Sequence, residues 1–181
     1  SADPLVTEYT RFTMYSSPGQ REAVRAAFLM EPGSTVIVNL PTGSGKTLAF
    51  QLPALRFASS SQLTVVLVPT VALARDQEER FRELLQRHPQ GKTWSMLPFA
   101  YYGGLSDEAK RTIATGVRNG TLPIVFASPE AALGALRSPL FEAAKHGRLR
   151  LFARQPVPLV QFRVLGPALC VQKRGELVPM S

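Results

Sequence analysis

Pro41-Thr42-Gly43-Ser44-Gly45-Lys46-Thr47 stands between the apolar run Val36-Ile37-Val38-Asn39-Leu40 and a helical pattern from Lys46 to Ala58. A loop that closes its backbone N–H groups around phosphate needs glycines where side chains would intrude, and Gly43 and Gly45 supply them. It needs a cation for the outer phosphates, Lys46, and a hydroxyl for Mg²⁺, Thr47. The helix that follows aims its positive end, roughly half a charge, at the anion. The general pattern would place its first glycine at position 40, where the chain has Leu40. A Gly-rich turn between strand and helix is the bland alternative, but it would not require Lys46-Thr47 as well.

Outward from this loop, short apolar runs alternate with longer helical patterns. Thr64-Val65-Val66-Leu67-Val68, Pro98-Phe99-Ala100-Tyr101-Tyr102 and Pro123-Ile124-Val125-Phe126-Ala127 are β-branched or aromatic and end in Pro, Gly or Ser. They read as strands buried on both faces. Helices are expected over Val71 to Arg87, with Leu73, Phe81, Leu84 and Leu85 at helical spacing. Others are expected after Ser106, with Asp107 and Glu108 in the first turn, and from Pro129. Strand–helix alternation of this kind predicts a parallel sheet covered on both sides.

The 181 residues suit one domain, with 21 basic against 13 acidic side chains, net +8, which favours a polyanionic partner. Cys170 is the only cysteine, so no intramolecular disulfide forms. No apolar run reaches the ~18 residues of a membrane helix, and the expectation is a cytoplasmic protein with no membrane contact. The chain opens at Ser1, as a processed chain or a fragment would. His88, His146 and Trp94 receive no role.

Pro41 to Leu55, read as PTGSGKTLAFQLPAL, resembles the nucleotide-binding motif of superfamily 2 helicases, closest to the RecQ-like branch. Tyr15-Ser16-Ser17-Pro18-Gly19-Gln20 resembles the motif whose glutamine reads adenine in that branch, and Gln20 lies 26 residues before Lys46. A carboxamide offers both the donor and the acceptor that an adenine edge requires. The resemblance implies a RecA-like P-loop NTPase fold, an α/β three-layer sandwich with a mainly parallel sheet, here incomplete at its C-terminal end. It implies ATP and Mg as cofactors, with ATP held by Gln20, Thr42, Gly43, Ser44, Gly45, Lys46 and Thr47, and Thr47 on the metal. Val65 to Gln77 resembles the element that touches DNA backbone in such helicases, which implies contacts from Pro69, Thr70, Arg75 and Gln77. Tyr102-Gly103-Gly104 and Val125-Phe126-Ala127-Ser128-Pro129-Glu130 resemble two further nucleic-acid elements, implying Gly103, Gly104, Ser128 and Pro129. DNA is favoured over RNA, and a second RecA-like domain is the expected partner wall.

The family's next element is a strand ending in Asp-Glu-x-His, which holds Mg²⁺ and positions water. Leu149-Arg150-Leu151-Phe152 leads toward it, but Ala153-Arg154-Gln155-Pro156-Val157-Pro158 carries no carboxylate, and Glu176 is the only acid beyond Glu142. Residues 153–181 hold Pro156, Pro158, Pro167 and Pro179 and no sustained periodicity. The expected division is therefore 1–35 as an N-terminal segment with the glutamine motif, 36–152 as the ATP-binding domain, and 153–181 as an irregular tail from a shifted frame or displaced C-terminus. The expected function is a helicase motor domain that binds ATP but neither hydrolyses it nor unwinds alone. The alternatives are a non-catalytic nucleic-acid-binding module and a P-loop phosphotransferase outside the helicases.

Overall fold

The strands build on the apolar runs, β-branched over Thr35–Asn39, Leu63–Leu67 and Ile124–Ala127. They are β1 (Thr35–Asn39), β2 (Leu63–Leu67), β3 (Ala100–Tyr101), β4 (Ile124–Ala127), β5 (Leu149–Arg154), β6 (Leu159–Val164), β7 (Cys170–Lys173) and β8 (Glu176–Pro179). The helices are α1 (Pro4–Tyr9), α2 (Pro18–Leu29), α3 (Leu48–Ala58), α4 (Val71–Leu85), α5 (Gly91–Trp94), α6 (Asp107–Asn119), α7 (Pro129–Leu133) and α8 (Arg137–Lys145). The computed structural model describes residues 1–41, 43–154, 159–164, 170–173 and 176–179.

The first six strands form one sheet in the order β1-β6-β5-β2-β4-β3. β2 pairs in parallel with β4 and with β5, and β3 in parallel with β4. β6 runs antiparallel to both β1 and β5, so those two are parallel to each other and β6 is the exception in a mainly parallel sheet. Its direction follows from chain length: a parallel return needs a crossover of roughly a dozen residues, and only residues 155–158 separate β5 from β6.

Successive side chains of a strand face opposite sides, and β4 is buried at all four positions, β2 at Leu63 to Val66. Helices therefore cover both faces. α3 packs on β2 and β5 with α1 and α2 against it; α4 packs on β3 and β4; α8 packs on β5 and on α6. Phe81 of α4 meets Phe99 and Phe126 edge-on, at 5.3 and 6.4 Å between ring centres. Each such pair adds about 0.5–1.5 kcal/mol beyond the area it buries. Glu78 fastens the approach to β3: its Oε1 accepts from Phe99 N at 2.7 Å and from Arg82 Nη2 at 2.9 Å. Arg82 also donates to the Leu97 carbonyl at 2.7 Å. His88 stacks on Tyr9 and lies against Trp94, and burial lowers its pKa, so these rings serve the packing between α1 and the end of α4.

Three expectations change. The strand anticipated over Pro98 to Tyr102 shortens to two residues. The loop helix starts at Leu48 instead of Lys46, which stays in a turn with Thr47. The tail is not irregular throughout: β5 continues through Ala153 and Arg154, β6 enters the sheet, and β7 pairs with β8 as a two-stranded ribbon. Pro156, Pro158 and Pro167 lie outside the described residues, and Pro179 ends β8 opposite Cys170.

Candidate nucleotide site and nucleic-acid face

In an open sheet of parallel strands, ligands bind outside the carboxyl ends. Four of the segments anticipated for function follow those ends. β1 leads into the phosphate loop, β2 into Pro69-Thr70, β3 into Gly103-Gly104, and β4 into Ser128-Pro129. Three strand spacings separate β1 from β2, so the phosphate loop lies about 14 Å from the nearest of the other loops along the sheet.

The loop is held by its own polar groups. Lys46 Nζ donates to the carbonyls of Leu40 at 2.5 Å and Pro41 at 2.9 Å. Ser44 Oγ donates to the Pro41 carbonyl at 2.6 Å. Gly43 and Gly45 have φ of +83° and +71°, the left-handed region where a Cβ is strained. Thr42 lies outside the described residues. Leu40, at the position of the missing glycine, packs against the core, and a Cβ on Gly19 would come within 2.4 Å of its Cδ2. Leu40 thus closes the base of the loop against α2.

Gln20 is buried, and its carboxamide is turned inward. Oε1 accepts from Ser16 N at 2.7 Å and faces Ser16 Oγ at 3.0 Å; Nε2 donates to the Gly45 carbonyl at 3.1 Å. Ser16 Oγ also lies 2.9 Å from the Ser44 carbonyl. Its single proton serves one of these acceptors at a time. Ser16 was inside the quoted glutamine motif, but its spacing alone gave no sign that it joins the loop.

Thr47 begins α3 without using its hydroxyl as a cap, which leaves that oxygen available. Mg²⁺ sites are ordinarily built on one or two carboxylates plus phosphate oxygens and water. No cluster of three or more His, Cys, Asp or Glu exists among the described residues. One neutral oxygen does not make a protein-built Mg²⁺ site; the donor set fits at most an ion carried on a nucleotide's own phosphates.

On the second face, Pro69, Thr70 and Arg75 are exposed, and Thr70 Oγ1 caps α4 by accepting from Leu73 N at 3.2 Å. That leaves its O–H free to donate to an anion. Gln77 is a correction: it is 2% exposed, and its Oε1 accepts from Gln51 Nε2 at 3.5 Å, so it bridges α4 to α3 inside the protein. Gly103 and Gly104 are exposed and have no positive φ, and a Cβ on Gly103 would meet nothing within 4 Å. The fold itself does not require glycine at 103. Ser128 caps α7 by accepting from Ala131 N at 3.1 Å. The Glu130 carboxyl beside it is held below its usual pKa by its own backbone N–H and by the Ser128 hydroxyl. An ionised carboxylate at that spot disfavours phosphate, so Ser128-Pro129 is a poorer anion contact than Thr70.

Asp3, Tyr15 and Arg25 form a cluster that the sequence did not reveal. Arg25 donates to both Asp3 oxygens, at 2.9 and 2.7 Å, and Tyr15 donates to Asp3 Oδ2 at 2.7 Å. The cluster pins the start of α1 to α2 and to the glutamine motif. No helix among the described residues is long and apolar enough to cross a membrane.

Residues 17–152 match the DEAD/DEAH box helicase family. The chain is 30% identical over 160 residues to ATP-dependent helicase SGS1 of Saccharomyces cerevisiae, a match over 88% of this chain and 10% of that protein. It is 31% identical over 118 residues to ATP-dependent DNA helicase Q4 of Mus musculus, over 65% of this chain and 9% of that one. It is 33% identical over 82 residues to ATP-dependent DNA helicase RecQ of Bacillus subtilis, over 45% and 13%. The chain spans about a tenth of the length of these relatives.

Proposed function

This chain belongs to the DEAD/DEAH box helicase family, and we propose that it forms the first RecA-like wall of an ATP-dependent DNA helicase motor. The carrying observation is the gathering of the phosphate loop and the Thr70, Gly103 and Ser128 junctions at the carboxyl edge of one sheet. The RecQ-type names of the relatives favour DNA over RNA, and a second RecA-like domain would close the cleft from outside. Family membership removes the unrelated phosphotransferase.

Within this wall, Lys46 exchanges the Leu40 and Pro41 carbonyls for phosphate oxygens, and the loop N–H groups and the start of α3 complete the cradle. Thr47 would touch an ion borne by the nucleotide. Hydrolysis is not expected from this chain alone. Phosphoryl transfer rests on positioned water and neutralised charge, and the sequence after Glu142 offers only Glu176 as an acid. A binding-only nucleic-acid module is the second reading, favoured by that same shortage of acids and by the net charge of +8.

Titration with a fluorescent ADP analogue tests the first reading. Lys46→Ala should weaken binding by about tenfold or more, the scale of one or two charge-assisted hydrogen bonds. Equal affinity in the two proteins would overturn the phosphate role of Lys46. DNA-stimulated ATP turnover abolished by Lys46→Ala would overturn the expected inactivity.

A further inference from the structure

The edge of the sheet opposite the phosphate loop is basic. β5, β2 and β4 are consecutive and parallel, so their amino ends lie on one edge, within two strand spacings or about 10 Å. Three segments reach that edge: 56–63 from α3 into β2, 117–123 from α6 toward β4, and 143–150 from α8 into β5. They carry Arg56, Arg118, Lys145, Arg148 and Arg150 and no Asp or Glu. The segments touch. Arg148 Nη1 donates to the Arg118 carbonyl at 2.5 Å, Leu63 N donates to the Arg148 carbonyl at 2.6 Å, and the Arg150 guanidinium lies 4.9 Å from the centre of the Phe57 ring. Gly120 ends α6 at φ +68°, and a Cβ there would come within 2.4 Å of the Ser61 carbonyl oxygen, so this close approach depends on glycine. Elsewhere Arg21, Arg25, Arg80 and Arg82 pair with carboxylates. Among the described residues Arg56, Arg118, Lys145 and Arg148 do not.

Helix C-termini attract cations, and Arg56, Arg118 and Lys145 stand in the last turns of α3, α6 and α8. That accounts for one cation per helix. Arg148 adds a second to α6, and Arg150 belongs to no helix, so the edge holds more charge than its helix ends need. The carboxyl edge, by contrast, mixes signs, with Asp76, Asp107, Glu108 and Glu130 in the segments that follow β2, β3 and β4.

We propose that this amino edge is a further contact for nucleic-acid backbone, separate from the nucleotide loop and from the Thr70 face. Cations within about a Debye length of one another raise a common potential, and guanidinium forks suit phosphate oxygens. Ser60 and Ser61, exposed in the turn before β2, add hydroxyl donors. The chemistry reads phosphate and not base: the only Phe, Tyr or Trp in these segments, Phe57, lies under Arg150. Binding here is salt-dependent and indifferent to sequence.

The test is filter binding of a mixed-sequence single strand, across a salt series, to the full chain and to Arg118→Ala/Lys145→Ala. Both side chains are exposed, so the double variant should fold. Its log–log slope should fall by about 1.4, two contacts at about 0.7 each, and its affinity at about 0.1 M salt by about tenfold or more. A thymine homopolymer should show the same two changes. The wild-type chain gives an independent reading if the variant fails to fold: bound strand should protect Lys145 from acetylation. An unchanged slope, or Lys145 modified equally with and without the strand, would overturn the proposal. So would binding to phosphatidylserine vesicles by a chain that leaves the oligonucleotide unbound, which would make the edge a lipid contact. Arg75→Ala separates this edge from the Thr70 face. A loss in Arg75→Ala with none in the double variant removes the amino edge alone; the reverse removes the Thr70 face and leaves the proposal standing.

Discussion

Gly45→Ala and Gly43→Ala place the same methyl group at two left-handed positions of one loop, and the structure separates their costs. At Gly43, φ is +83° and nothing lies within 4 Å of the added Cβ. The expected cost is the backbone strain alone, about 1–2 kcal/mol. At Gly45, φ is +71° and the Cβ would meet Gln20 Nε2 at 2.2 Å. Gln20 must swing away and lose its bond to the Gly45 carbonyl, which adds about 0.5–1.5 kcal/mol. The totals are about 1–2 and about 1.5–3.5 kcal/mol, or roughly 2–8 °C against 3–14 °C in Tm for a chain of this size. Thermal melting by circular dichroism reads both. The excess at Gly45 should vanish when the substitution is repeated on Gln20→Ala, because the clash partner is gone; the cycle isolates that contact. Equal shifts for the two single variants, or an excess that survives in the Gln20→Ala background, would refute the close approach of Gln20 to the loop.

The Asp3 cluster gives a pH dependence with a definite sign. Arg25, then Tyr15, holds the Asp3 carboxyl well below its ordinary value of 3.8, so the contribution is present above that value and lost as pH falls below it. Burial, then the bond to Asp3, pushes Tyr15 from 10.0 up to about 12, so its share is present below pH 10 and lost as pH rises from there toward 12. Asp3→Asn should flatten the acid limb of a Tm–pH curve, shrink the alkaline one and lower Tm at pH 7 by about 1–4 °C, the pair being partly exposed; unchanged limbs would refute the assignment. On the second face, Arg75→Ala should weaken single-stranded DNA binding and reduce the log–log salt slope by about 0.7. Gln77→Leu should leave that slope unchanged in filter binding, and a reduced slope for this variant would contradict its interior placement.

The legible part of the molecule is the part written in local chemistry. β-branched runs with punctuation at Pro, Gly or Ser marked β1, β2 and β4. Ser106 announced α6 because a hydroxyl that accepts from the third following N–H is a local device, and the apolar spacing of Leu73, Phe81, Leu84 and Leu85 announced α4. What escaped depends on partners distant in sequence. Gln51 and Gln77 meet across 26 residues, and each in isolation reads as a surface amide. Gln20 has the donor and acceptor for adenine, and only the folded chain shows both turned toward Ser16 and Gly45. Pro156 and Pro158 argued against a strand, yet they fall between β5 and β6. The alternation Val160-Gln161-Phe162-Arg163-Val164 was too short to outweigh them. Its placement depends on the slot between β1 and β5, which no neighbouring residue specifies.

That slot has a consequence for the order in which the molecule assembles. Among the described residues β1 borders only β6 in the sheet, and its pairing partners, from Thr35–Arg163 to Asn39–Leu159, are 128 to 120 residues apart along the chain. Contacts that span such lengths close late, because the loop entropy is lost before the contact can compensate it. During vectorial synthesis β2, β4 and their helices emerge and can pair well before β6 exists. The strand that carries the phosphate loop then waits at the rim, held by α2, until residues 159–164 have left the ribosome. Nucleotide-binding competence should therefore lag the synthesis of the phosphate loop by more than a hundred residues.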